Sequence, residues 1–256
     1  MPRAKRHLVN DGIYHVMIRG VNKQAIFNDD KDRQMFIRIM KYCIKKYQCV
    51  IYAYCLMNNH VHILLEDNGF LISEFMQYME CIYAEEFNKK YKRIGHLFQD
   101  RFKSIYVYDD SYLLRLIRYI HRNPEKAEIC KTEDYIWSSY KEYVYTPKII
   151  RRDKILNMFD SNEKIAIKKF IEFIADNSQE NIDRIYAAEK LNDDEALELI
   201  KEITKIDDIS NIKKYNKNDK KEIIRKLQKV ENINNSQIAR ILGIYKNFNC
   251  SNCSKK

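Results

Sequence analysis

Two histidines two residues apart, a tyrosine and an asparagine four apart, and a row of arginines are the residues whose types and spacing could do chemistry. His60-Val61-His62 lies in a run that reads as a β-strand, where alternate side chains face the same way. Both imidazoles then leave one face, and a pair so placed can chelate a divalent cation if a third ligand arrives from elsewhere. The competing reading is a half-buried, hydrogen-bonded pair with a structural role. Tyr119 and Asn123 fall one turn apart on a helix read over residues 111–122, so they share a face. Leu113, Leu114, Leu116, Ile117 and Ile120 form the apolar stripe of that helix, and Arg115, Arg118 and Arg122 lie roughly opposite. Combined, these parts make a phosphodiester-cleaving site. A cation polarises a phosphoryl oxygen, the tyrosine attacks phosphorus, the Asn123 amide oxygen is a hard donor, and guanidiniums hold the flanking phosphates. A phenol with an ordinary pKa of about 10 needs the cation or the arginines to help remove its proton. His121 points to another face, which suggests a surface position or a supporting one.

The elements that must position these groups read as a strand over 13–20, a helix over 29–47, strands over 49–57 and 60–66, a helix over 70–92 and a strand over 102–108. Asn58-Asn59 between the second and third strands suits a two-residue hairpin, because asparagine tolerates positive φ. The 111–122 helix is expected to stop at Pro124. The order β-α-β-β-α-β, then a helix, predicts an α+β fold: a ferredoxin-like or RRM-like antiparallel sheet with helices on one face.

Composition narrows the partner. The 256 residues carry 46 Lys+Arg against 36 Asp+Glu, a formal charge of +10, which favours a polyanion such as nucleic acid. Residues 89–131 hold 11 basic and 5 acidic side chains, an excess of 6 that equals the whole excess of residues 1–150 (24 against 18). The charge therefore concentrates around the helix that bears Tyr119. Seven cysteines, an odd number, argue for reduced thiols rather than a disulfide framework. No apolar segment follows the basic start, and none approaches the roughly 18 apolar residues of a membrane span. The expectation is a soluble cytoplasmic protein with no membrane partner.

The segment Leu56-Met57-Asn58-Asn59-His60-Val61-His62-Ile63-Leu64-Leu65 resembles the HUH motif of the single-tyrosine transposases of the IS200 type. Tyr119-Ile120-His121-Arg122-Asn123-Pro124 with Ala127 resembles their catalytic helix. Tyr14-His15-Val16 with Arg19-Gly20, Gln99-Asp100-Arg101-Phe102-Lys103-Ser104 and Trp137-Ser138-Ser139-Tyr140 are similar to the REP-associated branch. The resemblance spans roughly residues 3–145. It implies that His60, His62 and Asn123 hold Mg²⁺ or Mn²⁺ and that Tyr119 is the nucleophile. It also implies that single-stranded hairpin DNA is nicked and rejoined through a 5′-phosphotyrosine; some relatives pair subunits to share sites, while the REP-associated branch is expected to act as a monomer. Imidazole ligands alone would suit Mn²⁺ or Zn²⁺ better than Mg²⁺. Arg101, Lys103, Arg115, Arg118 and Arg122 are the expected DNA contacts.

Composition shifts after about residue 145, and residues 147–152 look like a connector. The expected division is a transposase domain over 1–146 and an all-α domain over 147–256, with helices at 162–175, 193–203, 219–230 and 235–242. Residues 234–244 resemble the first helix and turn of a helix-turn-helix unit covering about 219–248, with Gly243 ending the helix. Cys250 and Cys253 form a C-x-x-C pair with no second ligand pair nearby. The alternative to an enzyme is a non-catalytic RRM-like and helix-turn-helix regulator that binds nucleic acid and uses its histidines structurally.

Overall fold

In the computed structural model the four strands are β1 (Ile13–Arg19), β2 (Val50–Leu56), β3 (His60–Glu66) and β4 (Lys103–Tyr106). The residues described are 12–69, 71–176, 193–206 and 217–228, with single positions at 215, 230, 233, 238, 241 and 242. The strands form one antiparallel sheet in the order β2-β3-β1-β4, the ferredoxin-like arrangement that the element order predicts. Register pairs Met17 with His62 and Arg19 with His60 across β1 and β3, and Met17 with Lys103 across β1 and β4. Directly paired residues share a face. His15, Met17, Arg19, His60, His62 and Lys103 thus lie on one side. Val16, Ile18, Val61, Ile63 and Leu65 lie on the other and are at most 2% exposed.

The crossover helices are α1 (Asp30–Tyr47) and α2 (Ile72–Tyr91), which pack on each other. Asp29 caps α1 in a reciprocal capping box with Asp32. Asp32 is fully buried and is satisfied by the Asn28 amide, the Lys90 ammonium and the Tyr91 hydroxyl, which ties the start of α1 to the end of α2. The β2–β3 hairpin closes tightly, Met57 donating its amide to the His60 carbonyl at 2.9 Å. Neither Asn58 nor Asn59 has positive φ, contrary to the expectation from asparagine's preference. The turn is held from outside instead. The Asn58 carbonyl accepts from the amides of Ile26 and Phe27, its side chain accepts from Arg33, and the Asn59 carbonyl accepts from the Gly20 amide. Gly20 is required there, since a Cβ would stand 2.3 Å from the Gln24 carbonyl oxygen.

Helix α3 (Asp110–Lys126), capped by the Asp109 carboxylate, packs against β2 and β3. It runs through Pro124 rather than stopping before it. A proline in the final turn forfeits one backbone hydrogen bond, and the Ala127 amide still closes on the Asn123 carbonyl at 3.0 Å. Residues 137–139 then lie along the outer edge of β2, with Leu56 donating to Trp137 and Ser139 donating to Tyr54. They cover the backbone groups of an edge strand.

Three further helices follow: α4 (Tyr140–Val144), α5 (Asp153–Leu156) and α6 (Glu163–Ala175). The buried Glu142 carboxylate accepts from the Tyr54 hydroxyl and from the amides of Lys148 and Ile149. Arg152 donates to the carbonyls of Glu142, Tyr143 and Tyr145 and pairs with Glu163. Phe170 on α6 is fully buried and stacks on Tyr143 at 4.3 Å. The first compact unit therefore runs to Gln179, past the boundary expected at residue 146. The stretch read as a connector is anchored by buried hydrogen bonds that composition does not reveal. The second unit, residues 180–256, contains α7 (Asp193–Thr204) and α8 (Lys217–Gln228), which pack together through side chains including Leu199, Ile200, Ile224 and Leu227. Most of the helix expected at 235–242, the turn at Gly243 and the Cys250/Cys253 pair lie outside the described residues.

Among the described residues no helix is long and apolar enough to cross a membrane. Cys43, Cys49, Cys55, Cys81 and Cys130 are free thiols. The contact of α6 with α4 is testable. Phe170→Ala should cost about 3–5 kcal/mol of stability in urea unfolding, the usual penalty for emptying a buried aromatic site. A chain ending at residue 146 should be markedly less stable than one ending at 179.

Candidate active site

The strand alternation that brings His60 and His62 to one face also brings His15 there, one strand over. The rings of His60 and His62 stand edge to face, 4.9 Å between centroids, and those of His62 and His15 lie 5.0 Å apart. His62 Nδ1 and His15 Nε2 share a hydrogen bond of 2.9 Å. Tyr119 descends from α3 onto this group, its ring 5.4 Å from that of His62 and 6.1 Å from that of His15, both edge-on. Asn123, one turn further along α3, is 8% exposed and hydrogen-bonds His60. The four residues expected to form the site from two distant stretches of sequence are thus together.

The site is electrically unusual because its histidines are neutral while its surroundings are cationic. Burial pushes the His15 pKa down to about 3. Burial is also the main reason that His60 falls to about 4; the Asn123 hydrogen bond opposes this fall, and repulsion from Arg19 adds to it. His62 is driven well below the usual range by burial, then by His15, His60 and Arg19. Neutral imidazoles keep lone pairs for a cation. Arg19 is half-buried beside them, and its Nε is buried without a hydrogen-bond partner. The exposed Lys103 stands on the same sheet face. Lys126 lies over the Tyr119 ring at 4.9 Å. Sequence reasoning gave no role to His15, Arg19 or Lys126. The alternation of β1 was the available signal for the first two, and seven-residue spacing from Tyr119 for the third.

The arginines of α3 do not all face outward. Arg101 and Lys103 are exposed and Arg115 is half-exposed. Arg118 is 6% exposed, lies 3.7 Å from the Phe173 ring centroid and pairs with Asp176. Arg122 donates to the Asp176 carbonyl at 2.7 Å. The surface opposite the apolar stripe, expected to meet DNA, is therefore partly occupied by α6 and the residue that follows it. His121 is also fully buried rather than at the surface. Its Nε2 meets the Ser139 hydroxyl at 2.8 Å, and Tyr140, Tyr143 and Phe170 surround its ring.

No group of three His, Cys, Asp or Glu side chains able to hold a metal occurs among the described residues. The donor set here is two imidazoles and an amide. The Asn123 side-chain nitrogen is buried without a hydrogen-bond partner. Turned end for end, that amide would put its oxygen in the same place. Two imidazole nitrogens and one amide oxygen fit a divalent cation that keeps waters or substrate oxygens as its other ligands.

The sheet order defines a ferredoxin-like domain that carries the three histidines, Arg19 and Lys103 on one face. The family described as "Transposase IS200 like" matches residues 8–123, a stretch that holds the three histidines, Arg19, Tyr119 and Asn123. Over that stretch the chain is similar to the IS200-like transposases. Among solved structures it is similar to a REP-associated tyrosine transposase bound to a REP hairpin, with 16% identity, 56% of this chain and 86% of that one covered, and a TM-score of 0.49. A putative transposase from Deinococcus radiodurans matches at 15% identity over 47% and 97% of the two chains, with a TM-score of 0.34. The tRNA(His) guanylyltransferase of Saccharomyces cerevisiae matches at 11% over 70% and 84%, with a TM-score of 0.38. No curated protein matches the sequence.

The buried histidines predict a pH dependence. His15 and His121 fall to about 3 and His60 to about 4 in the folded chain, against about 6.5 when unfolded. The unfolded chain then binds more protons between those values, so stability is complete above about pH 6.5 and declines as pH falls toward 3. Urea midpoints measured across this window should fall on acidification, and His121→Asn should show a shallower decline than wild type.

Proposed function

We propose that this chain is a metal-dependent single-strand DNA nuclease and strand transferase of the REP-associated branch. It nicks and rejoins hairpin-bearing DNA through a covalent 5′-phosphotyrosine. The observation that carries this reading is the meeting of Tyr119 with His62, edge to face at 5.4 Å between centroids, with Asn123 against His60. All four residues come from one chain, which supports action as a monomer. A cytoplasmic location fits a DNA substrate.

In the proposed reaction Tyr119 Oη gives up its proton to solvent and attacks phosphorus. The Oη–P bond forms as the P–O3′ bond breaks, and the departing oxygen takes a proton to become a free 3′-OH. Rejoining is the reverse, with a 3′-OH displacing Tyr119. Mg²⁺ or Mn²⁺ held by His60, His62 and the Asn123 amide oxygen would polarise a phosphoryl oxygen. Arg19 is placed to hold the scissile phosphate beside the imidazoles, and Lys126 to favour the phenolate over the neutral phenol. Arg101, Lys103 and Arg115 serve the flanking strand. Arg118 and Arg122 are left out of this set, because they hold α6.

Incubating the full chain with hairpin-bearing single-stranded oligonucleotides and Mg²⁺ or Mn²⁺ should give an SDS-stable adduct. Tyr119→Phe and His60→Ala should abolish it, and Arg19→Ala should slow its formation on the order of 10²-fold or more, in line with losing one charge-stabilising donor. Hairpin binding without any adduct, indifferent to cation and to His60→Ala, would instead identify a non-catalytic nucleic-acid-binding regulator.

A further inference from the structure

Each histidine of the pair has its Nδ1 engaged by a neighbour, and those neighbours bear on where each neutral ring keeps its proton. Asn59 donates through Nδ2 to the Lys23 carbonyl at 3.1 Å, which aims its Oδ1 at His60 Nδ1, 2.6 Å away. An amide oxygen only accepts, so His60 carries its proton on Nδ1 and keeps a lone pair on Nε2. His62 Nδ1 meets His15 Nε2 at 2.9 Å, and each of these residues is 1% exposed. Two neutral imidazoles hold a single proton in such a bond, donated either by His62 Nδ1 or by His15 Nε2. The second arrangement would put the His62 proton on Nε2, and this ring would then have no lone pair to offer a cation.

We infer that His62 is the donor, and that His15 and Asn59 are positioning residues holding His62 and His60 as matching Nδ1–H tautomers whose Nε2 lone pairs serve one cation. The inference rests on the reading of the pair as a cation site. It assigns to β1 and to the β2–β3 turn the role that outer partners play for metal-bound histidines, fixing ring orientation and raising ligand basicity. His15 reaches His62 diagonally across the sheet, because its direct partner on β3 is Leu64. The contact therefore depends on the register of β1 with β3.

The test uses the full chain labelled with ¹⁵N-histidine, without metal, in long-range ¹H–¹⁵N correlation spectra at neutral pH. Both His60 and His62 should show the Nδ1–H pattern. His15→Leu should move His62 toward Nε2–H, and Asn59→Ala should do the same to His60. His15→Gln, whose side-chain oxygen can replace Nε2 as acceptor, should retain the wild-type pattern at His62. In Mn²⁺ titrations His15→Leu should bind on the order of 10–100-fold more weakly, with His15→Gln within about threefold of wild type. An Nε2–H pattern at His62 in the wild-type chain overturns the inference, as does a His15→Leu protein with unchanged tautomer and affinity. A wild-type chain with the Nδ1–H pattern that binds no Mn²⁺ overturns the cation reading instead, so the two failures are distinguishable.

Discussion

The pairing of β1 with β3 is the constraint on which the rest of the site depends. A strand has a side-chain period of two, so a slip of one residue would send every side chain of β1 to the opposite face. His15 and Arg19 would leave the histidine face, and Val16 and Ile18 would enter it. Two features hold the register. The apolar face of the two strands is almost completely buried, which penalises any slip by the transfer of several β-branched side chains into water. The Gly20 amide is also bonded to the Asn59 carbonyl at 2.9 Å, at a position where the backbone approaches too closely for any side chain. One register thus sets the spacing of three imidazoles and a guanidinium.

Burial then sets their electrostatic character. Taking an imidazole out of water penalises its charged form, and burial is the largest cause of the lowered pKa at His15 and His62. They remain neutral, and Arg19, Lys103 and Lys126 supply positive charge around them. Such a face combines nitrogen lone pairs with nearby positive charge. A phosphate at such a face would neutralise the side chains and offer oxygens to a cation. Lys103 and Lys126 belong to the basic excess of residues 89–131, and Arg19 comes from outside it.

Much of this was legible in the sequence, because short-range periodicity governs it. Alternation put His60 and His62 on one face, four-residue spacing joined Tyr119 to Asn123, and element order gave the sheet topology. What was not legible depended on partners distant in the chain. Arg118 and Arg122 look like a solvated basic face until Phe173 and Asp176, some fifty residues on, come to lie against them. His121 looks exposed until Ser139 and Phe170 enclose it. Asn58 and Asn59 tolerate positive φ, but hydrogen bonds from Ile26, Phe27, Arg33 and Gly20 fix the turn without it. Composition changes near residue 145, while the buried contacts of Glu142 and Arg152 continue beyond it.

Those late contacts bear on the position of Tyr119. Helix α3 meets the sheet through one face, which carries Tyr119 and Asn123, and meets α6 through another, which carries Arg118 and His121. A helix held on one side only can rotate or slide by a fraction of a turn, and a shift of about 1 Å at a reacting oxygen is enough to cost a large factor in rate. Phe170 packed on His121 and Tyr143, and Phe173 beneath the Arg118 guanidinium, close the second side. The stretch that looked like a linker and an appended helix thus completes the support of α3, and two arginines of a basic surface make their contacts with Phe173 and Asp176.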